Sequence, residues 1–399
     1  MKKFFIQLIS PLLLLTVCAS CSFSNTVAFY RVPQIIQQET LKVLTSSGQK
    51  YKAIQLDDAI PLTAQTKALK NSTILIAYDD FETARFAQTS PRAKPMPAAY
   101  LTHVPVSIAR QAVKYQNTFK SMPMLYDFYQ LDVHYPLYKR SKVPTLDYWN
   151  DFIRVAKIEQ NFTETPILFA GADDENFLNI FSMFAEAILG CDDYSEALEL
   201  IYQACTADYA ANSDDYANLI ELLQDFTTPG GLFYPVLAEI RSLLDQKLLN
   251  PSSFTLKPDE AIAAVNNEQC GFFFTSLSNH YSIDNSVLPS YKSVYCPSYP
   301  FFETRKFIAP SYCAIALSGT KANLRQIVNL TSTQQASLSA ATGYVPVQAK
   351  CAVRDDATEQ ARYFVAASDG PLKPLPAALT NAGARSFTSQ YLRNLLVSF

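Results

Sequence analysis

From Thr26 onward, short apolar runs alternate with segments of helical period, and this alternation constrains the chain more than any other feature of its sequence. Val27-Ala28-Phe29-Tyr30 reads as a buried strand. Pro33 suits the first turn of a helix and opens one over Ile35 to Leu44, which stops at Ser46-Ser47-Gly48. Tyr51 to Leu56 reads as a second strand and Leu62 to Leu69 as a short helix. Thr73 to Ala77 is a third strand that empties into Tyr78-Asp79-Asp80. Strand and helix in regular alternation predict α/β architecture.

A second set of elements follows a proline-rich loop at Pro91, Pro95 and Pro97. Met122 to Tyr129 looks extended and leads into Leu131 to Tyr135. Tyr148, Trp149, Phe152, Ile153 and Ala156 fall on one face of a helix, which assigns Trp149, the only tryptophan, to the core. Pro166 to Phe169 is a short buried strand, and Gly171 to Glu175 a loop into an apolar helix from Phe177 onward. Phe233 to Leu244, a helix opened by Pro258-Asp259-Glu260, and a strand over Gly271 to Thr275 complete the set. A chain of 399 residues exceeds what one hydrophobic core serves, so two domains are expected.

The first twenty residues are set apart. Lys2 and Lys3 precede an apolar stretch from Phe4 to Val17, too short to cross a bilayer comfortably, and the pattern is that of a secretion signal over 1–20. Ala19-Ser20-Cys21 resembles a bacterial lipobox, which makes Cys21 the expected lipidation site and the bilayer an expected partner. Six further cysteines, Cys191, Cys205, Cys270, Cys296, Cys313 and Cys351, lack CxxC spacing. Export permits disulfides among them, and buried free thiols remain equally open.

A formal net charge of -3 with no long run of either sign gives no footprint for nucleic acid. Ten glycines and the lack of GxGxxG, Walker A, HExxH or GxSxG patterns argue against a nucleotide enzyme or a familiar hydrolase. With three histidines, a metal site is not expected either, and neither is a cofactor.

Several segments in order resemble the extracellular solute-binding proteins of the maltose-binding type, which serve ABC importers mainly for sugars. Pro123 to Tyr135 looks like that family's first interlobe crossover, and Thr145-Leu146-Asp147-Tyr148-Trp149 like its helix-opening segment. Val236 to Pro251, Asp259-Glu260-Ala261 and Gly271 to Phe274 follow its helix, helix and strand order. Thr342-Gly343-Tyr344-Val345-Pro346-Val347 resembles its T-G-x-x-P-V close. The resemblance implies a type II two-lobe periplasmic-binding-protein-like fold, each lobe a mixed sheet flanked by helices and joined by a hinge. It implies lobes at 22–125 plus 312–342 and at 126–311 plus 343–399. Crossings are then expected near Asp127, Ser311-Tyr312 and Gly343.

Ligands of open α/β sheets bind beyond the carboxyl ends of the strands. That rule selects Tyr30, Arg31, Tyr78, Asp79 and Asp80 from the first lobe, with Asp79 as the carboxylate best placed for paired hydroxyls. From the second lobe it selects Asp173, Asp174, Asn176, Thr275 and Ser276, and the aromatic face that a sugar site needs has Tyr30, Tyr78, Tyr129, Phe177 and Tyr312 as candidates. Asp127 and Tyr129 in the first crossing, and Tyr312, are further candidates. Each carboxylate at a helix start could equally be a cap, and Asp173 and Asp174 are evenly balanced between the two roles. The expected function is capture of a small solute, a sugar before others, by a monomeric, non-enzymatic receptor for an ABC importer. A cationic solute such as a polyamine, an adhesive surface lipoprotein and a secreted hydrolase are the competing readings.

Overall fold

A computed structural model describes residues 25–46, 48–211, 216–299, 305–368 and 370–397. Cys21 and the 1–20 segment lie outside these residues. Two sheets organise the chain. The first has six strands, in the order Val345–Pro346, Met122–Tyr126, Ser311–Ala316, Ile74–Tyr78, Asn25–Tyr30 and Tyr51–Gln55. The second has four, Tyr291–Val294, Tyr129–His134, Cys270–Ser276 and Thr165–Phe169.

The three strands that come first along the chain, Asn25–Tyr30, Tyr51–Gln55 and Ile74–Tyr78, pair in parallel, Val27 opposite Ile74 and Ala53, as alternating helices require. Ser311–Ala316 then inserts antiparallel beside Ile74–Tyr78, with Tyr312 opposite Tyr78. Both faces are covered: Ile74, Ile76 and Phe29 join one cluster, while Leu75, Ala77 and Tyr30 join another. Helices Gln34–Thr45 and Lys321–Thr331 bury Ile36, Leu44, Ile327 and Leu330 against the sheet. In the small sheet, Phe272 and Phe274 meet Phe152 edge-on at 4.9 and 5.8 Å. Trp149 sits in that core, its indole N–H donating to Glu239 at 3.2 Å.

Met122 to Tyr129 is not one strand. Met122–Tyr126 belongs to the first sheet and Tyr129–His134 to the second, so the chain changes lobe at Asp127-Phe128. The C-terminal boundary differs from the expected one. Val345 and Pro346 pair with Tyr126 and Leu125, and helix Asp356–Ala367 buries Ala361 and Val365 in the first core, so 345–367 lies with the first lobe rather than the second. Helix Ala382–Val397 does pack in the second core, through Leu392 and Leu396. The expected Leu62–Leu69 helix is a single turn at Leu62–Ala64. Its downstream Gln65 side chain instead bonds main-chain groups of Asp57 and Ile60. Cys191, Cys205, Cys270, Cys296, Cys313 and Cys351 are free thiols. Among the described residues no helix is long and apolar enough to cross a membrane.

Candidate functional site

The carboxyl ends of the two sheets face a shared cleft of about 480 Å³. From the first lobe it receives Arg31 to Pro33, Gln55 and Asp58, together with Tyr312 and Tyr344. From the second come Tyr129, Ser276, Ser278 and Asn279, and the start of helix Asp174–Leu189 with Asp173, Glu175, Asn176 and Asn179. Asp127, in the crossing itself, lies between them.

Asp127 caps the short helix Leu277–His280 from outside. Its two carboxylate oxygens accept from the Ser278 N–H at 3.0 Å and the Ser278 hydroxyl at 2.6 Å, and Ser276 Oγ lies 2.9 Å from Ser278 Oγ. Burial pushes its carboxyl up to about 6, and the bonds from Ser278 hold it from rising further. Behind this helix, His280 Nδ1 meets buried Asp132 at 2.7 Å. Tyr129, Asn176 and Asn179 form a bonded row: Tyr129 donates to Asn176 Oδ1 at 2.9 Å and accepts from Asn179 Nδ2 at 2.9 Å. Asp173 accepts from the Asn176 N–H at 2.7 Å, so it is both helix cap and cleft wall.

Arg31 follows the first strand in the left-handed region, φ 54°, an uncommon conformation for a side-chain-bearing residue. The turn brings its guanidinium over the Tyr78 ring at 4.5 Å, onto Asp80 at 2.8 Å, and onto the Pro376 carbonyl of the C-terminal segment at 3.1 Å. Glu175 approaches it from the second lobe at 3.7 Å. Burial opposes its charge, but Glu175 and Asp80 outweigh that and keep it protonated. Among the described residues three aromatic ones line the cleft, Tyr129, Tyr312 and Tyr344, and the Tyr312 and Tyr344 rings lie 5.6 Å apart, inclined by 72°.

Of the residues expected from sequence, Arg31, Asp127, Tyr129, Asp173, Asn176, Ser276 and Tyr312 line the cleft. The others are placed differently. Tyr30 turns into the core with its hydroxyl toward the Ile60 carbonyl, and Phe177 is core as well. Tyr78 lies beneath Arg31. Asp79 is paired with Lys373 of the C-terminal segment at 2.9 Å and accepts from Ser311 at 3.4 Å. Asp80 caps helix Phe81–Thr89 through the Thr83 N–H at 2.7 Å, the dull alternative to ligand contact. Asp174 pairs with Arg393 at 2.8 Å, and Thr275 is buried in its strand opposite Gln130. Sequence reasoning missed Asp58, Glu175, Asn179, Ser278 and Tyr344. Asn179 stands one helical turn beyond Asn176, and Tyr344 within the T-G-x-x-P-V-like segment, so both had a signal.

Solved structures share this arrangement along nearly the whole chain. A protein of xylan utilization from the thermophilic bacterium Caldanaerobius polysaccharolyticus superposes with a TM-score of 0.66 at 14% identity, over 94% of this chain and 96% of that one. A bacterial solute receptor with an exclusive preference for β-D-galactopyranose gives 0.65 at 13% identity, over 93% and 94%. A sugar transporter protein of Bacillus licheniformis in complex with stachyose gives 0.64 at 11% identity, over 94% and 95%. The fold is that of the two-lobe solute-binding proteins. No family model matches the sequence. No curated protein matches it either.

Proposed function

We propose that this protein is an extracytoplasmic receptor that captures a sugar or oligosaccharide between its lobes and presents it to an ABC importer, without catalysing a reaction. The observation that carries the reading is the composition of the cleft. Both lobes supply groups to one volume, acceptors such as Asp127 and Asn179 together with the Tyr129, Tyr312 and Tyr344 rings. A pyranose needs both, hydroxyl partners around its rim and a ring against its C–H face. The neighbours' recorded ligands, β-D-galactopyranose and stachyose, point the same way. Site residues in this reading are Arg31, Asp127, Tyr129, Asp173, Asn176, Ser276 and Tyr312, joined by Asn179, Ser278 and Tyr344.

A ligand touching both lobes favours the closed arrangement through its larger affinity for it. The finer part of the reading is a monomer held at the membrane by lipid on Cys21 after removal of 1–20. A thermal-shift screen with sugars and with spermidine tests the ligand class, since a ligand at one hundred times its Kd adds ~2.7 kcal/mol to the folded state. A sugar hit with a reduced radius of gyration in solution scattering supports capture. Stabilisation by spermidine alone replaces the sugar reading with a cation receptor.

A further inference from the structure

The second-lobe wall of the cleft holds a row of hydrogen bonds whose direction is fixed at its far end. The Ala170 main-chain oxygen can only accept, and Asn176 Nδ2 donates to it at 2.6 Å. Asn176 Oδ1 therefore faces Tyr129, which gives it its single proton at 2.9 Å. The Tyr129 oxygen is left to accept, and it does so from Asn179 Nδ2 at 2.9 Å. Reversing any member sets two acceptors or two donors against each other. Burial, with the nearby Asp127 charge, raises the Tyr129 pKa well above the usual phenol value, so the proton stays in the row.

The consequence falls on Asn179. One of its two amide N–H groups is committed to Tyr129, its Oδ1 has no partner, and the residue is 4% exposed while lining the cleft. A buried acceptor without a donor is unfavourable, and an occupant that donates to it removes the penalty.

We propose that Asn179 is a specificity-determining residue, its Oδ1 accepting a hydrogen bond from the bound solute while the Ala170–Asn176–Tyr129 row prevents the amide from turning to offer Nδ2. The solute group at this point is then a hydroxyl or another donor, never a bare acceptor such as an ether, carboxylate or phosphate oxygen. The inference rests on the capture reading above and adds a direction to one of its contacts.

Calorimetry on the full chain tests it, with D-galactose, maltose, stachyose and N,N′-diacetylchitobiose as probes, followed by the monodeoxy and deoxyfluoro analogues of each that binds. Fluorine keeps the size and a weak acceptor but cannot donate. At one ring position both analogues are expected to bind roughly tenfold more weakly than the parent. Asn179→Leu should have lost that factor already and show no further penalty there. In Tyr129→Phe the amide is free to rotate, so the fluoro analogue should recover relative to the deoxy one, whereas a purely structural tyrosine would weaken all analogues alike. If the fluoro analogues keep full affinity wherever the deoxy ones lose it, or Asn179→Leu changes nothing, the directional row is overturned and capture stands. Failure of every probe to bind the wild-type chain overturns both.

Discussion

The two walls of the cleft treat their polar residues in opposite ways. On the first-lobe wall the charges following the strands are occupied: Arg31 by Asp80, Tyr78 and the Pro376 carbonyl, and Asp79 by Lys373. Pro376 and Lys373 lie in the C-terminal segment that joins the second core through Leu372 and Leu375, and Tyr202, packed against the same core, donates to Glu82 at 2.9 Å. On the second-lobe wall Glu175 reaches across to Arg31, but the bonds among Tyr129, Asn176 and Asn179 run within the lobe and leave Asn179 Oδ1 without a partner. In the proposed reading one wall grips the other lobe while the other wall receives the solute. Charged residues after a strand end are therefore poor guides to ligand contact until their partners are known.

The largest effect expected from breaking this contrast lies at Arg31. Its guanidinium and Asp80 are both buried, and removing one partner strands the other charge. Arg31→Ala should cost about 3 kcal/mol or more in urea unfolding, because an uncompensated buried carboxylate is left behind. Asn179→Leu, on the opposite wall, removes an unpartnered acceptor together with one bond to Tyr129, whose hydroxyl keeps Asn176, and should change stability by about 1 kcal/mol. Equal losses in the two variants would erase the distinction between a gripping wall and a receiving one.

Buried acids sharpen the comparison away from the cleft. Asp80 in the first lobe is paired, whereas Glu159 in the second has neither oxygen partnered and its carboxyl is pushed up by burial to about 8. A raised acid pKa means the folded chain holds a proton that the unfolded chain releases. The neutral carboxyl's full stability is thus present below about 4.5 and is lost as pH rises toward 8. Glu159→Gln should remove this slope and be more stable than wild type at pH 8.5, read from denaturation midpoints across pH. A wild-type chain whose stability is flat from pH 5 to 8 would refute the buried neutral acid. Gly271 belongs to the same contact, since a Cβ there would fall 1.8 Å from Glu159 Oε2.

Much of the fold was legible because its strands are short apolar runs between recognisable breakers. Val27 to Tyr30 and Thr73 to Ala77 fall inside or beside their observed strands, and Pro33 marks the cap of the first helix. Helix Phe81–Thr89 was not read, although a cap was one of the two roles weighed for Asp80 and Asp80 is its cap. Local pattern also could not say that Met122 to Tyr129 divides between sheets, since both halves are equally extended and buried. In the cleft, Asn176 was legible as a position after a strand and Tyr129 as a residue of the first crossing. What joins them was not, because a hydrogen bond between residues 47 apart leaves no trace in either neighbourhood. The same holds for Asp79, whose partner Lys373 lies 294 residues further on.

That pair yields the smallest effect and the finest discrimination. Lys373 is 24% and Asp79 9% exposed at the side chain, so the bond between them contributes about 1 kcal/mol to holding the lobes together. If Asp79 serves as a latch, Asp79→Ala and Lys373→Ala should each favour opening of the ligand-free chain. Each should enlarge its radius of gyration and weaken apparent ligand affinity by roughly fivefold, because the binding-competent state becomes scarcer. The double variant should then be no worse than either single one, since both remove the same bond. If Asp79 instead touches the solute, Asp79→Ala alone weakens binding, and Lys373→Ala leaves affinity intact or improves it by releasing the carboxylate. Calorimetry on the three variants with one sugar separates the cases, and additive losses in the double variant would assign Asp79 to the receiving side of the cleft after all.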